Sequence, residues 1–257
     1  MYYFTIYDVT TRKCNGYLWH EGLAKRGSNE IASCLHSFLK ECDQKEKKRV
    51  HLFCNSCSGQ NRNTIVPSMV LHFLSHSTHV NEVSIYFFEP HHGQNEGDSV
   101  HRCVEKSLKK FPELRLPSEI ATVIRGCRQA GTFVHEIQTT DILNWKVYSS
   151  ELGTLRVRIA EDGQAIDWTQ VRALRMSKDQ PFRVGFKLSH DAQSFSYLKL
   201  TMRRQSSRGP VVVTRAYTHP PKLSASKYQD LIDLVESDCP VISHPDHQSF
   251  YVNLPHE

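Results

Sequence analysis

No run of apolar residues in this 257-residue chain is long enough to span a bilayer. The opening Met1-Tyr2-Tyr3-Phe4 lacks the basic flank and small-residue cleavage site of a secretory signal. No internal repeat and no low-complexity segment is found. The expectation is an intracellular protein with no membrane partner. Its eight cysteines (14, 34, 42, 54, 57, 103, 127 and 239) are scattered and expected to be reduced thiols. Cys54 and Cys57 form a Cys-x-x-Cys, but zinc needs two further ligands. No second Cys-x-x-Cys or His-x-x-x-His pair is expected to offer them locally, although His91 and His92 could be recruited in space, so no metal is expected. A large excess of one charge is lacking too: 32 Lys and Arg face 27 Asp and Glu, a net +5. That balance permits contact with nucleic acid without requiring it.

What is present is an ordinary soluble composition, 39% hydrophobic and 23% charged, in a chain long enough to bury a real core. Residues 2–9 are aromatic and β-branched and read as a strand, hairpin-paired with Cys14 to His20. Ser28 is placed to cap a helix carrying Ile31, Leu35, Phe38 and Leu39 on one face and ending near Cys42. Val50 to Cys54 reads as a buried central strand. Residues 64–76 have helical rhythm, with Pro67 tolerated only near the first turn. Val83 to Phe88 reads as another buried strand, and Gly97 to Lys110 as a helix whose late lysines suit its dipole.

Strands alternating with helices behind a leading hairpin predict an α/β fold, a mixed sheet flanked by helices. That order is similar to the ribonuclease H-like fold of transposases and integrases, apart from one further early strand. Pro112 to Pro117 reads as a boundary, giving a core over 1–115 and a C-terminal extension over 116–257. In the extension, a helix over Ser118 to Gln129 and short strands at Phe133–Ile137 and Leu155–Ile159 are expected. Beyond Trp168 the texture becomes mostly antiparallel β: 182–187, 197–202 and 211–213 alternate or run apolar. Ser224 or Ser226 starts a final helix with Tyr228, Leu231, Ile232 and Val235.

Nucleases of the ribonuclease H-like kind hold two Mg²⁺ between carboxylates from the first strand, a central strand and a later helix. Asp8 is the first-strand candidate, with a plain strand-end turn as the alternative. Glu96, Asp98 and Glu105 are the helix candidates, with an N-cap role as the alternative for Asp98. At the central strand an amide, Asn55, stands where an acid is needed. No Asp or Glu occurs between Arg49 and Val80. A neutral carbonyl oxygen cannot bridge two hard cations as a carboxylate does.

Several blocks then resemble a transposase-derived domain family spread through animal genomes. They include Tyr17-Leu18-Trp19-His20-Glu21-Gly22, Arg26 to Ile31, Cys57-Ser58-Gly59-Gln60-Asn61-Arg62-Asn63 and Gln94-Asn95-Glu96-Gly97-Asp98-Ser99-Val100-His101. Trp168 to Leu174, Lys178-Asp179-Gln180-Pro181 and Phe250 to Pro255 continue the likeness, so it covers nearly the whole chain. Two departures stand out: Asn55 replaces the family's acid, and His91 replaces its glycine. The family implies a cut-and-paste ancestry and an upstream DNA-binding module, which is expected to be absent here. The combination implies a domesticated copy that kept its fold and lost its nuclease.

Three functional readings follow. The leading one is a catalytically inactive scaffold for a protein partner, nuclear or chromatin-associated, with no cofactor, its ancestral Mg²⁺ site lost, and no small-molecule substrate. On that reading Asp8, Asn55, Glu96 and Asp98 are a degenerate site with no catalytic residue. The second is an active Mg²⁺-dependent nuclease. The third is a nucleic-acid-binding module without chemistry. Between Trp168 and Lys222 stand eleven Lys or Arg against two Asp. Arg172, Arg175, Arg183, Lys187, Arg203 and Arg204 are its candidate contacts, with a solvated sheet face as the plainer alternative.

Overall fold

The computed structural model describes residues 1–55, 63–89, 95–152, 159–181, 183–198, 211–237 and 241–257. The architecture is mixed α/β, as expected, and divides into two units that interleave along the chain. The first comprises Met1–Arg26, Gln94–Asp141 and Tyr217–Glu257, the second Gly27–Gly93 and Ile142–Ala216. Each unit therefore draws on both sides of residue 115. No helix among the described residues is long and apolar enough to cross a membrane.

In the first unit, β1 (Tyr2–Asp8) pairs antiparallel with β2 (Lys13–Trp19), which pairs parallel with β5 (Thr132–Glu136). The hairpin turn is fixed by Asp8, whose Oδ1 accepts the Thr10 and Thr11 N–H groups at 2.9 and 3.2 Å. Its Oδ2 accepts the Thr11 hydroxyl at 2.7 Å. Gly16 on β2 leaves room for the Tyr3 ring: a Cβ at that position would stand 2.5 Å from a ring carbon. Helices α3 (Glu96–Leu108) and α4 (Pro117–Gly126) supply Val100, Val104, Ala121 and Ile124 to a core shared with Cys14 and Leu18. α4 starts on Pro117, and the Glu119 carboxylate accepts the Arg115 and Leu116 N–H groups at 2.7 and 2.9 Å. These donors hold its carboxyl below the ordinary range. Near the C-terminus α6 (Ala225–Glu236) is capped by Ser224, as its sequence anticipates, and packs on α7 (Pro245–Val252).

The second unit carries a five-stranded sheet: β3 (Arg49–Cys54), β4 (Glu82–Phe87), β6 (Ala173–Ser177), β7 (Val184–Lys187) and β8 (Ser196–Tyr197), in that spatial order. β3 and β4 are parallel and joined through α2 (Ile65–His76); the remaining pairs are antiparallel. α1 (Ser28–Gln44), α2 and α5 (Trp145–Leu152) pack against one another. Leu39, Met69, Val70 and Trp145 are fully buried there. Ser33 Oγ accepts the Leu143 N–H at 2.9 Å and the Trp145 indole N–H at 3.2 Å while donating to the Asn29 carbonyl at 2.8 Å. Asp43, late in α1, accepts the backbone N–H groups of Thr78, His79 and Val80 at 2.7 to 2.8 Å, which ties down the chain entering β4.

Several expectations are corrected. One mixed sheet containing both the leading hairpin and the 50–54 strand is not what forms. The hairpin takes β5 as its third strand, and β3 lies in the other sheet. β3 is an edge strand whose residues alternate exposed and covered, not a buried central one. β4, by contrast, is interior and largely buried, as expected. Val211–Val213 form no strand. The α1 helix starts at Ser28 with Gly27 in the cap position and no side-chain cap. Most of the 155–159 and 197–202 strands lies outside the described residues.

Candidate nucleic-acid interface

The four positions of the degenerate acid site are distributed as follows. Asp8 ends β1 in the first unit, with its carboxylate engaged in the hairpin turn. Asn55 follows β3 in the second unit. Glu96 and Asp98 occupy the first turn of α3, where Asp98 forms a reciprocal capping box with Asn95. Asn95 Oδ1 accepts the Gly97 and Asp98 N–H groups at 2.7 and 3.3 Å, and Asp98 Oδ2 accepts the Asn95 N–H at 2.9 Å. The N-cap itself is therefore Asn95, and Asp98 is its partner. Among the described residues no group of three or more His, Cys, Asp or Glu side chains could hold a metal ion. His91, His92 and Cys57 lie outside the described residues.

The five-stranded sheet offers a more coherent surface. Because side chains alternate across a strand, one set faces the core: Val50, Val83, Ile85, Leu174, Met176, Val184 and Phe186, all buried. The other set lines up in cross-strand rows. One row runs Phe53, Tyr86, Ala173, Lys187 and the next His51, Ser84, Arg175, Gly185, Tyr197. A third begins Arg49, Glu82, Ser177. Phe53 and Tyr86 stack with centroids 5.0 Å apart and planes 17° from parallel, and Phe53 is 61% exposed. His51 lies beside the same tyrosine at 6.0 Å.

At the far side the cations sit on rings. The Arg175 guanidinium lies 4.4 Å from the Phe195 centroid and donates to the Tyr197 hydroxyl at 3.0 Å. Lys187 Nζ is 4.8 Å above the same Phe195 and donates to the Ala192 carbonyl. Arg183 covers Tyr197 at 3.6 Å and forms a two-pronged pair with Glu161 at 3.0 and 2.6 Å. That guanidinium holds the Glu161 carboxyl below its usual range. Gly185 makes this stacking possible: a Cβ there would meet Phe195 and Tyr197 at 3.3 to 3.4 Å.

Three of the six expected cations, Arg175, Arg183 and Lys187, thus share one face. Arg172 precedes β6 on the opposite side of the alternation, with its Nη1 donating to the Thr169 carbonyl at 3.2 Å. Arg203 and Arg204 lie outside the described residues. The aromatic members, Phe53, Tyr86, Phe195 and Tyr197, were not anticipated. The signal for Phe53 and Tyr86 was the alternation of 49–54 and 82–87, which becomes informative only once strand register is known.

The second unit also holds a histidine cluster on its helical side. Contrary to expectation a His-x-x-x-His pair is present: His72 and His76 stand on α2, beside His36 of α1 and the rings of Trp145 and Tyr148. Burial pushes the buried His36 and the half-buried His72 down to about 4, helped by Lys40 and, for His72, first by His76, so both are neutral at pH 7.

No family model matches the chain, and neither a curated protein nor a solved structure matches it.

Proposed function

We propose that this protein works by binding rather than by catalysis, and that its working surface is the face of the five-stranded sheet that carries Arg175 and Lys187, which receives nucleic acid. The observation that carries the reading is the shared face of Arg175 and Lys187, both held on the Phe195 ring. Guanidinium and ammonium groups held on rings present charge to phosphate at little further ordering cost. A charged, aromatic face suits a polyanion better than the apolar core of a protein interface. The transposase-derived ancestry, with a ribonuclease H-like origin, is proposed on the sequence blocks alone, as is a nuclear location.

The absence of catalysis is proposed on donor chemistry. Asn55 supplies no charge, Asp8 is engaged in a turn, and Asp98 is engaged in a helix cap. The test is retention of labelled nucleic acid by the purified chain at low and moderate salt. Affinity is expected to fall steeply as counterions are released. Lys187→Glu and Arg49→Glu are expected to weaken it for all sequences alike. No retention even at low salt would overturn the reading.

A further inference from the structure

The five-stranded sheet has two edges. β8 is two residues long, which gives a second chain little to pair with. β3 is six residues long and carries no proline and no bulge. Its ladder to β4 runs through alternate residues. The Lys48 and Cys54 carbonyls accept the Glu82 and Phe88 N–H groups at 3.4 and 3.0 Å, so the inward series is 48, 50, 52 and 54. Arg49, His51 and Phe53 therefore turn their N–H and C=O groups away from β4. None of these groups has a hydrogen-bond partner among the described residues. Backbone groups left in this way meet either water or another chain. The side chains of the same three residues are exposed.

We infer that the free edge of β3 pairs antiparallel with β3 of a second copy of this chain, about a twofold axis through His51. In that register Arg49 faces Phe53 of the second copy, Val50 faces Leu52, and His51 faces its own counterpart. It is the one register that engages every outward backbone group of both strands, as three residue pairs that each exchange two hydrogen bonds.

The side chains agree with it. Phe53 is stacked on Tyr86 on its sheet side and is 61% exposed. Arg49 of the second copy stands opposite that ring, where a guanidinium is attracted to an aromatic face. The axis makes this contact twice. On the other face the half-buried Leu52 meets Val50, which carries the apolar side of the sheet across the joint. Like charges are kept apart. Lys47, Lys48 and Arg49 stand together at one end of the strand, and antiparallel pairing puts the two basic ends at opposite ends of the joint. Parallel pairing would set them side by side. An acidic peptide is a poorer occupant, because this end already has acids beside it: Lys45 pairs with Glu41 at 3.3 Å, and Glu82 neighbours Arg49 in register. A joint of six residues a side buries less than the ~1,200 Å² of a standard interface, so the dimer is weak and forms with concentration.

The experiment is sedimentation equilibrium of the full chain, with thiols kept reduced and no nucleic acid present, so its result is independent of the reading above. The apparent mass is expected to rise from one chain at about 1 μM toward two at about 500 μM. Phe53→Lys sets like charge opposite Arg49 and is expected to weaken association about tenfold or more. Adding Arg49→Glu to Phe53→Lys sets opposite charges face to face at both ends and is expected to restore the dimer. Melting temperatures check that both variants are folded. Amide hydrogen exchange gives a readout that needs no variant. The N–H groups of His51 and Phe53 are expected to exchange about fivefold more slowly at the high concentration, with those of Val50 and Leu52 unchanged.

A single-chain mass at the high concentration would overturn the inference. So would exchange at His51 and Phe53 that ignores concentration, or a dimer that Phe53→Lys leaves intact. A dimer that Phe53→Lys breaks and Arg49→Glu fails to restore would overturn it too, since the two residues would then not stand opposite each other.

Discussion

Asn95 and Asp98 cap each other: the Asn95 amide oxygen accepts the Asp98 N–H, and the Asp98 carboxylate accepts the Asn95 N–H. The acid that stands out most in the sequence thus has a local mechanical role at the start of α3. Asp98→Ala and Asn95→Ala are each expected to lower stability by about 1 kcal/mol. Because the two bonds are reciprocal, the double substitution should cost less than the sum of the singles. Denaturant melts of the four proteins measure this. Strict additivity would show that the box is not a unit.

Cleavage of DNA or RNA with Mg²⁺ or Mn²⁺ is expected neither from the natural chain nor from Asn55→Asp. Restoring the charge at position 55 leaves Asp8 in its turn and Asp98 in its cap. A nuclease assay on both proteins is decisive. Metal-dependent cleavage by the natural chain, abolished by Asp8→Ala, would make this an enzyme. Cleavage by Asn55→Asp alone would mean that a single amide separates the protein from a working two-metal site.

Gly16 is required by Tyr3. A methyl group at position 16 would enter the space of the ring, 2.5 Å from its edge. Gly16→Ala is expected to destabilise the first unit by about 1–3 kcal/mol, the usual range for overpacking. Tyr3→Leu in the same chain should recover part of that loss, which thermal melts would reveal. A Gly16→Ala protein as stable as the natural one would show that the ring moves aside freely.

Acid should loosen the second unit in a defined window. His36 and His72 titrate near 6.5 when unfolded and near 4 when folded. Above pH 6.5 they are neutral in both states and their stabilising burial is fully expressed. Between pH 6.5 and 4 the unfolded chain takes up protons that the folded one refuses, so stability falls. The low carboxyls of Asp43 and Glu119 add acid sensitivity only below their ordinary values of 3.8 and 4.5. The melting temperature should therefore drop across pH 6.5 to 4, and His36→Phe should flatten part of that slope. A flat profile through this window in the natural chain would refute the burial argument.

Local patterns made much of the fold legible, and pairing did not. The hairpin of β1 and β2 follows from its aromatic, β-branched strands and polar turn. The helices α1, α2, α3, α4 and α6 follow from one-sided apolar spacing, and α6 also from its Ser224 cap. β3 was misplaced because Val50, Leu52 and Phe53 read as a continuous apolar run, although His51 and Phe53 face outward. α5 and α7 are short, eight residues each, and α7 has no buried stripe to give it away. The union of β2 with β5 spans far-separated segments, which periodicity cannot report. The same limit applied to the site. Arg175, Arg183 and Lys187 could be picked out as alternating cations, but their aromatic neighbours came together only through register.

The interleaving of the two units sets an order of assembly during synthesis. Every segment of the second unit precedes Tyr217, whereas the first unit is finished only by Tyr217–Glu257. The leading hairpin emerges early, yet its third strand, β5, arrives only after α1, β3, α2 and β4 have all been made. On the ribosome β2's edge is therefore open to other nascent chains until β5 emerges, and the second unit can close before Tyr217–Glu257 has been added to the first.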